Sequence, residues 1–152
     1  MNRERKLTTS QLDYLDAIFS IVSKKQAARA RDIGERLEVA GSSVTGALKN
    51  LRKKGLINYA PYDLITLTPE GEKIAKEVIL YRDILKKFLT LVLNLSDNEA
   101  EETAGRLKSQ VDKKLMERII HYLRFLSVNT EFRLEWKDSG FCKTEGATEE
   151  TL

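Results

Sequence analysis

Ser42, Ser43, Thr45, Gly46, Lys49, Asn50 and Lys53 stand within a dozen positions of one another. Wound into a helix, they occupy the side opposite Val44, Ala47, Leu48 and Leu51. Short hydroxyls and a carboxamide donate and accept hydrogen bonds in confined space, and the lysines add fixed positive charge. Arg52 and Lys54 extend that charge. This chemistry suits a polyanion with readable edges, and the major groove of duplex DNA is wide enough for a helix. The hydroxyls cluster at the helix N-terminus, where backbone N–H groups also face phosphate. Gly46 in an exposed helix costs roughly 1 kcal/mol of helix propensity, which makes sense where a backbone must come close to DNA. A solvated basic face remains the bland alternative for this helix taken alone. Arg29, ahead of it, and Tyr62, beyond it, complete the set expected to face DNA.

Charge supports a polyanion partner at one end of the chain. Residues 1–60 hold 12 Lys/Arg against 6 Asp/Glu, while residues 61–152 hold 14 against 17. The 41% hydrophobic content is enough for a core. Apolar runs are far too short to span a bilayer, so no membrane partner is expected. Met1–Lys6 is charged, and no apolar leader follows, so a cytoplasmic location is expected. Cys142 is the single cysteine, which rules out an internal disulfide and a cysteine-based zinc cluster. His121 is the single histidine. No nucleophile–base set and no phosphate-cradling glycine loop is apparent, so no catalytic residues and no enzyme activity are expected.

The elements that must position these residues are mostly helical. Ser10 is expected to cap a first helix over residues 10–24, with Asp13 as capping-box partner and Leu12, Leu15, Phe19 and Val22 as the apolar stripe. A very short strand is expected within residues 27–31, then a helix over 31–37 and a tight turn over 38–41. Ser42 or Gly41 is expected to cap the DNA-facing helix, and Gly55 to stop it. Residues 56–59 and 64–67 read as a hairpin closed by Ala60-Pro61-Tyr62-Asp63. Thr68 and Pro69 open a long helix to about residue 93, with Ile74, Val78, Tyr81, Leu85, Phe88 and Val92 as a heptad-like seam. Ser96 and Asp97 start a fifth helix to about residue 111. Asp112 caps a sixth, carrying Leu115, Ile119, Tyr122 or Leu123, and Leu126. Phe132, Leu134 and Trp136 then alternate with charged residues, suggesting a strand or an extended docking segment. Residues 138–152 read as disordered.

The expected fold is therefore mainly α: an N-terminal winged helix-turn-helix of three helices and a two-stranded wing, followed by an all-helical dimerisation domain. The corresponding expected boundaries are 1–70, 71–128 and an extended or disordered tail over 129–152.

Five segments resemble the DtxR/MntR metal-dependent repressors. They are Leu7-Thr8-Thr9-Ser10-Gln11-Leu12-Asp13-Tyr14-Leu15-Asp16-Ala17-Ile18, Arg31-Asp32-Ile33-Gly34-Glu35-Arg36-Leu37, Gly41-Ser42-Ser43-Val44-Thr45, Leu51-Arg52-Lys53-Lys54-Gly55-Leu56-Ile57 and Leu67-Thr68-Pro69-Glu70-Gly71-Glu72-Lys73-Ile74-Ala75. The resemblance covers residues 7–95 closely and 96–126 by helix order. It implies a homodimeric regulator of metal-transport genes, a roughly palindromic operator in double-stranded DNA, and Mn²⁺ or Fe²⁺ as cofactor. Two other functions remain in view: a MarR-like winged-helix regulator sensing a small organic ligand, and a winged-helix protein-interaction module. Gly41 replaces the usual proline at the start of the DNA-facing helix, and Tyr62-Asp63-Leu64 replaces a basic wing tip.

The resemblance places Asp13 and Asp16 on the family's two helix-1 ligand positions and Asp83 where its fourth helix supplies histidine. Gly105, Lys108 and Ser109 fall on its remaining ligand positions. Three readings follow. Asp13, Asp16 and Asp83 hold the metal, weakly and with little selectivity; or the Lys108 ammonium replaces the metal and pairs with Asp13 or Asp16; or all four are ordinary capping and surface residues.

Overall fold

The computed structural model describes residues 7–60, 64–128, 132–137 and 140–145, which divide into two compact units, Met1–Leu80 and Tyr81–Leu152. The first unit holds α1 (Thr9–Lys25), α2 (Ala30–Leu37), α3 (Gly41–Lys53), β1 (Ile57–Asn58) and β2 (Thr66–Leu67). The helix α4 (Pro69–Leu91) runs across the boundary. The second unit adds α5 (Asp97–Leu107), α6 (Lys113–Val128), β3 (Phe132–Lys137) and β4 (Gly140–Glu145).

The helix that opens the chain starts earlier than expected. Thr8 Oγ1 accepts from Gln11 N at 3.2 Å, and Gln11 Oε1 accepts from Thr8 N at 3.1 Å. This reciprocal box displaces the Ser10–Asp13 pair, because glutamine three residues after threonine fits the motif that aspartate after serine only approximates. The buried stripe of α1 is also rotated. Tyr14, Leu15, Ala17, Ile18 and Ile21 are buried, while Leu12, Phe19 and Val22 lie at its margins.

Backbone geometry then sets α3. Glu38 closes α2 in the left-handed region at φ 54°, and Val39 N donates to Gly34 O at 3.1 Å. Ala40 is the N-cap of α3, so neither Ser42 nor Gly41 caps it. Its end follows expectation. Gly55 takes φ +72°, Gly55 N donates to Arg52 O at 2.8 Å and Leu56 N to Leu51 O at 3.0 Å. These are the paired bonds of a Schellman stop, where a Cβ would be penalised.

The wing is shorter than the sequence suggests. Ile57 pairs with Leu67 and Asn58 with Thr66, antiparallel. Ala28 and Ile65 form an isolated bridge, exchanging bonds of 2.9 and 2.8 Å, which is all that remains of the strand expected within residues 27–31. Thr68 ties the wing to α4: its hydroxyl donates to Gly55 O at 2.7 Å and accepts from Gly71 N at 3.1 Å. Gly71 passes so close to the chain before β1 that a Cβ there would lie 1.9 Å from Leu56 O. Beneath these elements Leu15, Ile18, Ile33, Val44, Leu48, Leu51, Leu56 and Ile65 form a closed core.

In the second unit Leu85 and Leu89 of α4 pack with Ala100 and Ala104 of α5 and Met116 and Ile119 of α6. The start of α5 is a capping box: Ser96 N donates to Glu99 Oε2 at 3.0 Å and Glu99 N to Ser96 Oγ at 3.4 Å. Asp112 caps α6, accepting from Leu115 N at 2.8 Å. The inward line of α6 is Met116, Ile119, Ile120 and Leu123, whereas Leu115 and Tyr122 are exposed. This helix is apolar over a wide arc, and its own core takes only one side of it. Finally, residues 140–145, expected to be disordered, form β4 against β3, so the second unit is not wholly helical. The remainder of that expected segment, 138–139 and 146–152, lies outside the described residues.

Candidate DNA-binding surface

The face of α3 away from the core is built as expected. Ser42, Ser43, Gly46, Lys49, Asn50 and Lys53 are exposed, and Val44, Leu48 and Leu51 are fully buried. Thr45 is half-buried, and its hydroxyl donates to Gly41 O at 3.0 Å, so only its acceptor capacity is left for a partner. A Cβ built on Gly46 meets nothing within 4 Å, and the same holds for Gly41. Nothing within the fold requires glycine at either position. Arg29, N-terminal to α2, is exposed. Tyr62 lies outside the described residues.

The cations of this unit fall into two groups. Arg31 is held by Glu35 at 2.7 Å, Arg36 donates to Ser20 Oγ at 3.1 Å and Lys25 faces Asp32 at 3.8 Å. Hydrogen bonding to Glu35, together with its charge, favours the charged form of Arg31 still further. By contrast, Lys49, Arg52 and Lys53 enter no ion pair among the described residues. Arg52 was read from the sequence only as added charge. In the structure it lines a shallow, open depression at the wing base with Gly55, Asn58, Tyr59 and Thr68. Asn58 is exposed there and donates to Thr66 Oγ1 at 3.0 Å; nothing in its sequence context marks it.

The candidate metal ligands divide between the units. Asp13 and Asp16 lie on α1, Asp16 buried with 8% of its surface exposed. Asp83 is exposed on α4, with Arg82 Nε 3.6 Å from its carboxylate. Lys108, the C-cap of α5, is 7% exposed and falls on one of the ligand positions that the resemblance implies. Gly105 offers no donor side chain, and His121 is exposed on α6. Among the described residues no group of three or more His, Cys, Asp or Glu side chains stands close enough to hold a metal ion. Asp13 and Asp16 stand in the first unit, and Asp83, Gly105, Lys108 and Ser109 in the second. Nearby charge is organised instead by Lys86, which reaches Asp97 and Glu101 at 3.0 Å each, with bonds that favour its charged form.

Comparison with known proteins agrees with this architecture. Residues 6–64 match the iron dependent repressor N-terminal DNA binding domain, and residues 68–135 match the iron dependent repressor metal binding and dimerisation domain. The HTH-type transcriptional regulator MntR of Lysinibacillus sphaericus is 38% identical over 85 residues, 56% of this chain and 61% of that protein. The MntR of Geobacillus thermodenitrificans is 36% identical over 98 residues, 64% of this chain and 70% of the relative. Among solved structures, a manganese-dependent transcriptional repressor in complex with manganese superposes with a TM-score of 0.69 at 23% identity, over 87% of this chain and 61% of that one. The chain thus spans about three fifths of the length of the Lysinibacillus relative and of that solved repressor. No helix among the described residues is long and apolar enough to cross a membrane. These matches replace the MarR-like alternative and place the chain among transcriptional repressors rather than enzymes: it belongs to the DtxR/MntR family of iron-dependent repressors.

Proposed function

We propose that the chain is a dimeric, sequence-specific DNA-binding regulator of metal-transport or metal-homeostasis genes. Its two copies set α3 into successive major grooves of a roughly palindromic operator. One observation carries this reading. The exposed face of α3 combines Ser42, Ser43 and Asn50 with Lys49, Arg52 and Lys53, cations that no carboxylate among the described residues neutralises. Neutralising phosphate charge with lysine and arginine releases counterions and drives association. Ser42, Ser43, Thr45 and Asn50 read base edges or phosphates, Gly46 allows close backbone approach, and Arg29, Lys49 and Lys53 meet phosphate. Tyr62, outside the described residues, completes the proposed contact set.

We further propose that metal is not the switch in this chain. The family's named cofactors are divalent cations, and Gly105 and Lys108, at two of the ligand positions that the resemblance implies, supply neither carboxylate nor imidazole. The measurement that tests both statements is selection of bound duplexes from a random-sequence library, with and without added Mn²⁺ or Fe²⁺. Enrichment of a palindromic motif in both arms is expected. Failure to enrich any motif in either arm refutes the DNA-binding reading; enrichment only with metal refutes the second statement.

A further inference from the structure

We propose that the β3–β4 hairpin is an arm whose apolar face is covered by a second copy of this chain. The inference rests on the dimeric reading above. In the antiparallel register Trp136 faces Phe141, and Leu134 lies two residues along on the same side. The two rings meet edge to face at 5.0 Å between centroids and 80°. The other side carries Glu135 and Lys137, paired at 3.5 Å, and Cys142. One side of the hairpin therefore gathers its large apolar residues, with Lys143 opposite Leu134 by register, and these residues stay partly in water: Leu134 is 39% exposed, Trp136 53% and Phe141 44%.

Nothing in the second unit covers it among the described residues. No hairpin residue belongs to the core built on Leu85, Leu89, Met116 and Ile119. One bond from the hairpin toward the helices runs from Trp136 N to Asn94 Oδ1 at 2.7 Å, at the link between α4 and α5. A lone two-stranded hairpin is marginal in water and gains stability from a surface to pack on. That surface is assigned to a second copy by continuity. The region matched to the family's dimerisation domain ends at residue 135, inside β3, and the next residue is Trp136. Area agrees: the exposed parts of the two rings come to on the order of 200 Å². That is a fraction of the ~800 Å² each partner contributes to a stable interface, as suits an arm extending a helical contact.

Trp136 is the chain's only tryptophan, so its fluorescence reports this face alone. The full chain is diluted through its dimer–monomer transition, followed by sedimentation velocity, and acrylamide quenching is read at each concentration. The expected result is a several-fold lower quenching constant and a blue-shifted emission in the dimer. The Phe141→Ser variant, with unchanged far-UV circular dichroism, is expected to dimerise about tenfold more weakly. Equal quenching in dimer and monomer overturns the proposal, whether Trp136 is open in both (another occupant) or shielded in both (its own helices). A chain monomeric at all concentrations overturns it as well. Duplex binding is measured on the same samples: binding by a dimer with an open Trp136 sinks this inference alone, while loss of duplex binding sinks the function proposed above.

Discussion

Replacing Gly46 by alanine separates what the fold needs from what the proposed partner needs. The added Cβ meets nothing within 4 Å, and Gly46 is exposed in the middle of α3. No packing term opposes the gain in helix propensity, which is about 1 kcal/mol for glycine to alanine in an exposed helix interior. For a unit of this size, unfolding as one transition, 1 kcal/mol raises Tm by roughly 4–8 °C. The same methyl projects from the face assigned to the groove, where it separates the α3 backbone from DNA. Stability and affinity are thus expected to move in opposite directions. Thermal unfolding by circular dichroism reads the first, and fluorescence anisotropy with a selected duplex reads the second. A lower Tm would refute the geometry of α3. A higher Tm with unchanged duplex affinity would refute close approach at Gly46.

Three further expectations rest on other parts of the molecule. Gly71→Ala sets a Cβ 1.9 Å from a backbone carbonyl, that of Leu56, so the α4–wing junction has to move; a loss of about 3 kcal/mol or more in urea unfolding is expected, and a neutral variant would contradict the junction. The hydroxyl and N–H of Ser96 hold the Glu99 carboxyl below its ordinary value of 4.5, so this cap stabilises α5 at neutral pH and is lost as pH falls through and below that value. Glu99→Gln is therefore expected to flatten the acid limb of the second unit's stability curve, and an unaltered limb would count against the capping box. Calorimetric titration with Mn²⁺ and Fe²⁺ is expected to show no site tighter than micromolar, and a tighter one would restore the metal reading.

Punctuation was the most legible part of the sequence. Gly55 ends α3 and Thr68-Pro69 opens α4, because a left-handed turn and a missing N–H admit few residue types. The inward face of α3 was legible for the same kind of reason: it carries one apolar stripe and no rival. Where two solutions compete, local reading chose less well. Thr8 and Ser10 both look like caps, and only the reach of Gln11 decides between them. In α6, Leu115 and Met116 head two adjacent apolar lines, and the packing of α4 and α5 selects Met116. The strand β4 was invisible because Gly140-Phe141-Cys142-Lys143-Thr144-Glu145 sets its two apolar residues side by side rather than in alternation, and it pairs with β3. On α3 the residue types were plain, but which cations are already neutralised was not. Arg31 and Glu35 meet one turn apart, whereas the neighbours of Lys49 and Lys53 depend on the whole unit.

The central claim is that the α3 cations touch phosphate, and the salt dependence of duplex binding tests it most directly. Each phosphate contact adds about 0.9 to the slope of log affinity against log salt. The Lys49→Ala/Lys53→Ala double variant, binding as a dimer, is expected to lower that slope by about 4 while remaining folded. An unchanged slope at unchanged affinity would mean that this face of α3 does not meet DNA.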